Sequence, residues 1–194
     1  MLRFVSETEA TIWVETDRPC EVEVLAHRAR TFHVEGHHFA LVVVRGLEPG
    51  RTYEYDVALD GQRVWPRPDD PWPAPSIRTV ATGEQATIVY GSCRVAVPHE
   101  PPYTLTKDED KEHGREIDAL YALAHSLRDL PREEWPDLLT MIGDQVYVDE
   151  DAPQTRAFIR ARRDTSQPPY TEVADFEEYT RLYRETWSEA VIRS

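Results

Sequence analysis

The chain has 194 residues, with 22 Lys+Arg against 36 Asp+Glu and a formal net charge of −14. That balance excludes a general binder of nucleic acid or anionic membrane, because phosphate surfaces recruit Lys and Arg; an anionic substrate stays open, since one metal ion reverses a local field. A hydrophobic content of 40% is enough for a core, and two cysteines are too few for a disulfide-stapled module or a zinc ribbon. No apolar run reaches the ~20 residues that span a bilayer. The first residues, Met1-Leu2-Arg3-Phe4-Val5-Ser6-Glu7, lack a basic region followed by an apolar stretch. The chain therefore reads as soluble and cytoplasmic.

Up to about residue 80 the pattern has period two. Thr11-Ile12-Trp13-Val14-Glu15, Glu21-Val22-Glu23-Val24-Leu25 and Thr52-Tyr53-Glu54-Tyr55-Asp56-Val57 alternate apolar and polar residues, and Phe39 to Val44 is a continuous apolar run. Turn signals separate them at Asp17-Arg18-Pro19, Glu35-Gly36, Glu48-Pro49-Gly50 and Asp60-Gly61. Short strands spaced by such turns predict an antiparallel β-sandwich. Leu47-Glu48-Pro49-Gly50-Arg51-Thr52-Tyr53-Glu54-Tyr55 resembles the fibronectin type III segment in which a Leu-x-Pro-Gly turn precedes a Tyr-x-Tyr strand. Trp65 to Pro75 carries five prolines, so it is neither helix nor central strand. It predicts a long loop near a domain boundary, with Ser76 to Val80 as a last strand.

Beyond it the period changes. Thr87-Ile88-Val89-Tyr90 reads as a strand ending in Gly91-Ser92-Cys93-Arg94. A polar stretch through Pro98, Pro101 and Pro102 leads to the acidic run 107–112, a solvated loop by composition. Ile117, Leu120, Tyr121, Ala124 and Leu127 recur at helical spacing over about 114–130, and Pro131 closes that helix. Asp137 to Ile142 is a second strand, ending in Gly143-Asp144. Helical patterns follow from Pro153 to Arg163 and from Asp175, where Asp175 and Glu178 have capping-box spacing. Strand, helix, strand, helix predicts an α/β layer over 85–194, after a first domain over 1–80.

A strand–helix–strand unit makes its strands parallel, so both C-terminal ends lie on one rim, where open α/β sheets bind ligands. Cys93 and Asp144 follow the two strands, each just beyond a glycine. A thiolate and a carboxylate on one rim suit a metal ion. The plain alternatives are a small buried cysteine and a turn aspartate. Tyr179 and Tyr183 at helical spacing read as core rather than as ligands. His37-His38 has no third ligand, and His27, His33, His99, His113 and His125 have no assigned role.

Asp137-Leu138-Leu139-Thr140-Met141-Ile142-Gly143-Asp144-Gln145-Val146-Tyr147-Val148-Asp149 resembles the strand-plus-loop motif of alkaline phosphatase D (PhoD-like) metallophosphatases. Gly91-Ser92-Cys93 is similar to that family's Gly-Ser-Cys, and Phe176-Glu177-Glu178-Tyr179-Thr180-Arg181-Leu182-Tyr183 to its Tyr-bearing helix. Family members often carry a fibronectin-like N-terminal domain. The resemblance implies a fibronectin III-like β-sandwich followed by the first half of a calcineurin-like α/β core that hydrolyses phosphomonoesters or phosphodiesters with ferric iron and calcium. It implies Cys93 as an iron ligand, Asp144 as the carboxylate between the metals and Tyr179 as the phenolate ligand, with Tyr183 the second choice; Arg94 is the nearest cation for a phosphate. Relatives are often exported.

The family's later Asp-Asp-His motif and histidine cluster have no counterpart in these residues. The expectation is thus the N-terminal portion of a phosphoric ester hydrolase, inactive by itself, whose partners are a phosphate ester and the remainder of the parent chain. The alternative is a non-catalytic binding module with a degenerate α/β remnant.

Overall fold

The computed structural model describes residues 1–83, 85–148 and 152–193. It divides into two compact units, Met1–Ala86 and Thr87–Arg193. Among the described residues no helix is long and apolar enough to cross a membrane.

The first unit holds two four-stranded antiparallel sheets. One contains β1 (Leu2–Val5), β2 (Glu9–Thr16), β5 (Phe32–Val34) and β6 (His37–Arg45) in the order β1-β2-β6-β5. The other contains β3 (Glu21–Val24), β4 (His27–Arg30), β8 (Val57–Leu59) and β9 (Gln62–Trp65) in the order β4-β3-β8-β9. A short pair joins β7 (Thr52–Glu54) to β10 (Ser76–Arg78). Alternation decides which side chains meet: Ala10 and Ile12, Val22 and Val24, and Ala40, Val42 and Val44 point inward into one shared core with Leu47, Val57 and Ile77. Fully burying each Val or Ile contributes about 1.5–3 kcal/mol relative to exposure.

The run Thr52 to Val57 is not one strand. Tyr55 N–H donates to the carbonyl of Pro75 (3.1 Å), and the chain leaves β7 there to begin β8 in a different sheet. The Pro-rich stretch lies inside this unit, between β9 and β10. Thr79 holds the Leu47–Gly50 turn: its hydroxyl donates to the Glu48 carbonyl (2.6 Å) and accepts from Arg51 N–H (2.9 Å), while Glu48 N–H donates to the Tyr53 hydroxyl (2.8 Å).

The second unit is built on a parallel strand pair, β11 (Ile88–Gly91) and β12 (Leu138–Met141), in the register Ile88↔Leu138 to Gly91↔Met141. Helix α1 (Ala119–Arg128) lies between them in sequence, capped by Asp118, whose carboxylate accepts from Leu120 and Tyr121 N–H. It begins later than its apolar spacing predicts. Residues Arg115 and Glu116 donate instead to the carbonyls of Tyr103 and Leu105, and Glu116 sits at φ 64°. That folds 103–116 into a hydrogen-bonded loop, on which the acidic run 107–112 stays largely exposed.

Two further helices, α2 (Pro153–Arg162) and α3 (Phe176–Trp187), pack together, and a short helix α4 (Ala190–Arg193) follows. Asp175 caps α3 by accepting from Glu178 N–H (2.9 Å). Glu178 does not complete a reciprocal box. Its carboxylate is fully buried and takes Ala174 N–H (2.9 Å) and the guanidinium groups of Arg163 (2.9 Å) and Arg162 (3.4 Å).

Candidate functional site

The ladder between β11 and β12 runs on past the regular strands. Ile142 N–H donates to the Gly91 carbonyl (2.8 Å), Cys93 N–H to that of Gly143 (3.3 Å) and Arg94 N–H to that of Asp144 (3.2 Å). Cys93 and Asp144 are therefore neighbours across the C-terminal rim. Both have left-handed backbones, at φ 62° and 46°. This region disfavours residues with a Cβ and persists only where surroundings over-determine it.

The Cys93 thiol donates to Asp144 Oδ2 over 3.4 Å and lies 3.3 Å from the Ser92 hydroxyl. All three residues are exposed. Two donors sharing one ion, with bonds of about 2.0–2.3 Å, stand about 3.0–3.5 Å apart at angles between square and tetrahedral. The pair thus fits one edge of a transition-metal shell. A calcium shell takes about six to eight oxygens, and Asp144 is the one carboxylate at this pair. Among the described residues no group of three or more His, Cys, Asp and Glu is placed to hold a metal. Asp149, which closes the Gly-Asp-Gln motif, lies outside the described residues.

Arg94 has a different use from the phosphate contact drawn from sequence. It is buried, with Nε donating to Asp118 (2.8 Å), Nη2 to Glu189 (3.1 Å) and Nη1 to the Thr186 carbonyl. Its guanidinium carbon lies 5.2 Å from the centroid of the Trp187 ring. All three nitrogens have protein acceptors, so this cation organises the unit. Glu189 also meets His99 Nε2 (2.8 Å), whose ring stacks on Tyr121 at 3.7 Å between centroids.

Tyr179 and Tyr183 are about two-fifths exposed on α3. They share a face with Trp187 at i, i+4 spacing. Trp187 reaches the rim, its indole N–H donating to the carbonyl of Gln145 (2.9 Å). By helix rise Tyr183 is about 6 Å and Tyr179 about 12 Å farther along the axis. Among the described residues neither tyrosine has a hydrogen bond or ring contact to Cys93 or Asp144. The structure joins Cys93 and Asp144 by a hydrogen bond.

Sequence reading passed over Asp118, Glu189 and the indole of Trp187. Asp118 carried a signal, an N-cap type of residue two positions before Leu120, masked by the apolar Ile117 ahead of it; the other two did not.

The sequence model of a domain of unknown function, DUF7800, matches residues 1–77. No curated protein and no solved structure matches the chain.

Proposed function

We propose that the second unit carries part of the site of a metal-dependent phosphoric ester hydrolase of the alkaline phosphatase D kind, with a fibronectin III-like β-sandwich as the first unit. The observation that supports this most is the Cys93–Asp144 pair: a thiol 3.4 Å from a carboxylate at the ends of parallel strands, each on a left-handed backbone. Strained residues concentrate at functional sites, and here two such residues, of types that can ligate a metal, meet at the strand ends where open α/β sheets bind ligands.

Cys93 and Asp144 would hold a ferric iron, with a phenolate from Tyr179 or Tyr183. Calcium would need oxygen donors beyond those the described residues bring to the pair. Such ions, when bound, polarise phosphoryl oxygens and supply a nucleophilic oxygen at neutral pH. The chain's own part is to keep the thiol and the carboxylate converged and reachable by a phosphate ester. Both side chains are exposed, so an anionic substrate meets no steric barrier at them.

A second reading, a binding module without catalysis, has its own support. Ile88, Tyr90, Leu138, Leu139 and Ile142 are exposed large hydrophobics on or beside β11 and β12, as in a docking face.

The two separate in one experiment. Cobalt(II), a spectroscopic stand-in for iron, should give the chain a thiolate-to-metal charge-transfer band that Cys93→Ala abolishes and Asp144→Asn weakens at least fivefold. Turnover of a chromogenic phosphomonoester or phosphodiester by the 194 residues alone is expected at background, because two converged donors do not enclose a metal site. No band at millimolar cobalt would remove the metal reading and leave the binding module.

A further inference from the structure

We infer that Arg94 and Trp187 are positioning residues, which together fix the backbone at Asp144 and Gln145 and so hold the Asp144 carboxylate against the Cys93 thiol. The convergence of the two side chains is a feature of the structure; only its use toward a metal rests on the function proposed above.

A non-glycine residue at φ 46° stays there because its neighbours leave it no alternative. Three consecutive carbonyls, those of Gly143, Asp144 and Gln145, each receive a donor: Cys93 N–H (3.3 Å), Arg94 N–H (3.2 Å) and the indole N–H of Trp187 (2.9 Å). The first two come from the adjacent segment. The third comes from the end of α3 and is the one side-chain donor among them. A loop just beyond a strand would otherwise give these carbonyls to water, and the chain could relax out of the left-handed region.

Trp187 is located in turn by Arg94. The guanidinium packs over the indole ring and donates to the carbonyl of Thr186, the residue before it. Arg94 itself has little freedom: it is buried between the carboxylates of Asp118 and Glu189, and moving it would strand those charges. A line of contacts therefore runs from Asp118 through Arg94 and Trp187 to Gln145 and Asp144. Neither Arg94 nor Trp187 has a side-chain hydrogen bond to the Cys93 thiol or the Asp144 carboxylate, so the role is one of placement.

The test reads placement without any metal. In a chain carrying Cys20→Ser and Asp144→Cys, thiols occupy positions 93 and 144 on adjacent backbones. Oxidised glutathione is the oxidant: one thiolate opens its disulfide to a mixed disulfide, the second displaces the remaining glutathione, and the two electrons and two protons leave as two reduced glutathione molecules. The rate, followed by mass spectrometry at fixed pH, reports how often the positions converge. Trp187→Phe keeps a ring beneath Arg94 and removes the N–H donor. It should slow closure about three- to tenfold, the order expected for one part-buried hydrogen bond, with unfolding still cooperative. Arg94→Lys, which keeps a cation beside Asp118 and loses the fork, should slow it similarly and serves if Trp187→Phe fails to fold. Closure at the parent rate in a folded Trp187→Phe or Arg94→Lys chain overturns the inference. Cobalt binding by the otherwise unsubstituted chain tells its failure from that of the proposed function: slowed closure without any cobalt band removes the metal and keeps the positioning role, and a cobalt band with unchanged closure does the reverse.

Discussion

One carboxylate, that of Asp118, joins the start of α1 to the cation beside the candidate site: Oδ1 accepts Leu120 N–H at 2.8 Å while Oδ2 accepts Arg94 Nε at 2.8 Å. Both side chains are almost wholly buried. The residue thus satisfies a helix end and neutralises a buried guanidinium at once.

Asp118→Asn keeps a capping oxygen and removes the charge, whereas Asp118→Ala removes both. Breaking a buried pair costs about 3–5 kcal/mol and losing a cap about 1 kcal/mol. Urea unfolding of the second unit, followed by the far-ultraviolet signal of its helices, should place Asp118→Ala below Asp118→Asn, and both well below the parent. Equal midpoints for parent and Asp118→Ala would show that Arg94 finds water instead.

Glu178 presents a parallel case on α3. Its carboxylate is fully buried and faces Arg162, Arg163 and the Ala174 amide. Glu178→Ala should lower the urea midpoint of the second unit, because Arg163 loses its carboxylate partner, while Arg162 keeps Asp175. Adding Arg163→Ala should cost much less in that background than in the parent. Additive losses in the four-protein cycle would argue that the two side chains do not act as a unit.

The loop 103–116 closes on Gly114. A Cβ there would meet the carbonyl oxygens of Thr106 at 2.4 Å and Asp110 at 2.6 Å, both fixed backbone. Gly114→Ala should therefore push the loop open and cost about 1–3 kcal/mol as overpacking. Limited proteolysis should then cut within 103–116 earlier than in the parent chain; an unchanged digestion pattern would mean the loop absorbs the methyl group.

Acid should weaken the start of α3 through Asp175. The Arg162 guanidinium holds the Asp175 carboxyl below its usual range, helped by the Glu178 amide. A carboxyl depressed in the folded chain adds stability that is complete above its unfolded value of about 3.9 and is lost as pH falls through the lower folded value. Asp175→Asn should leave stability near pH 3 closer to the parent than it is at pH 7. Curves for parent and variant that run parallel from pH 7 to 3 would contradict this.

Much of the local structure was open to reading from sequence because its causes lie within a few residues. Alternation over 9–16 makes one face of β2 apolar, the continuous apolar run 39–44 supplies the inward face of β6, and a strand with an apolar face must turn it to a core. The turns at Glu35-Gly36 and Asp60-Gly61 carry a glycine where a positive φ is needed, and both pairs adopt it. The hairpin between β3 and β4 turns through Leu25 and Ala26, at φ 46° and 61°, with no such residue to announce it. β4 is too polar and β5, at three residues, too short to show a period of its own.

At the candidate site the division is sharper. Sequence by itself determined that Cys93 and Asp144 each follow a short strand and a glycine, and that Asp175 precedes an apolar helical face, since these depend on near neighbours alone. Only the tertiary structure decided that the thiol meets a carboxylate 51 residues away, and that Arg94 meets Asp118 24 residues on and Glu189 95 residues on. The physical reason is one of range. Periodicity and capping are short-range effects written in adjacent residues, while the partner of a buried charge or a rim side chain is chosen by how whole elements pack, and no local pattern encodes that choice.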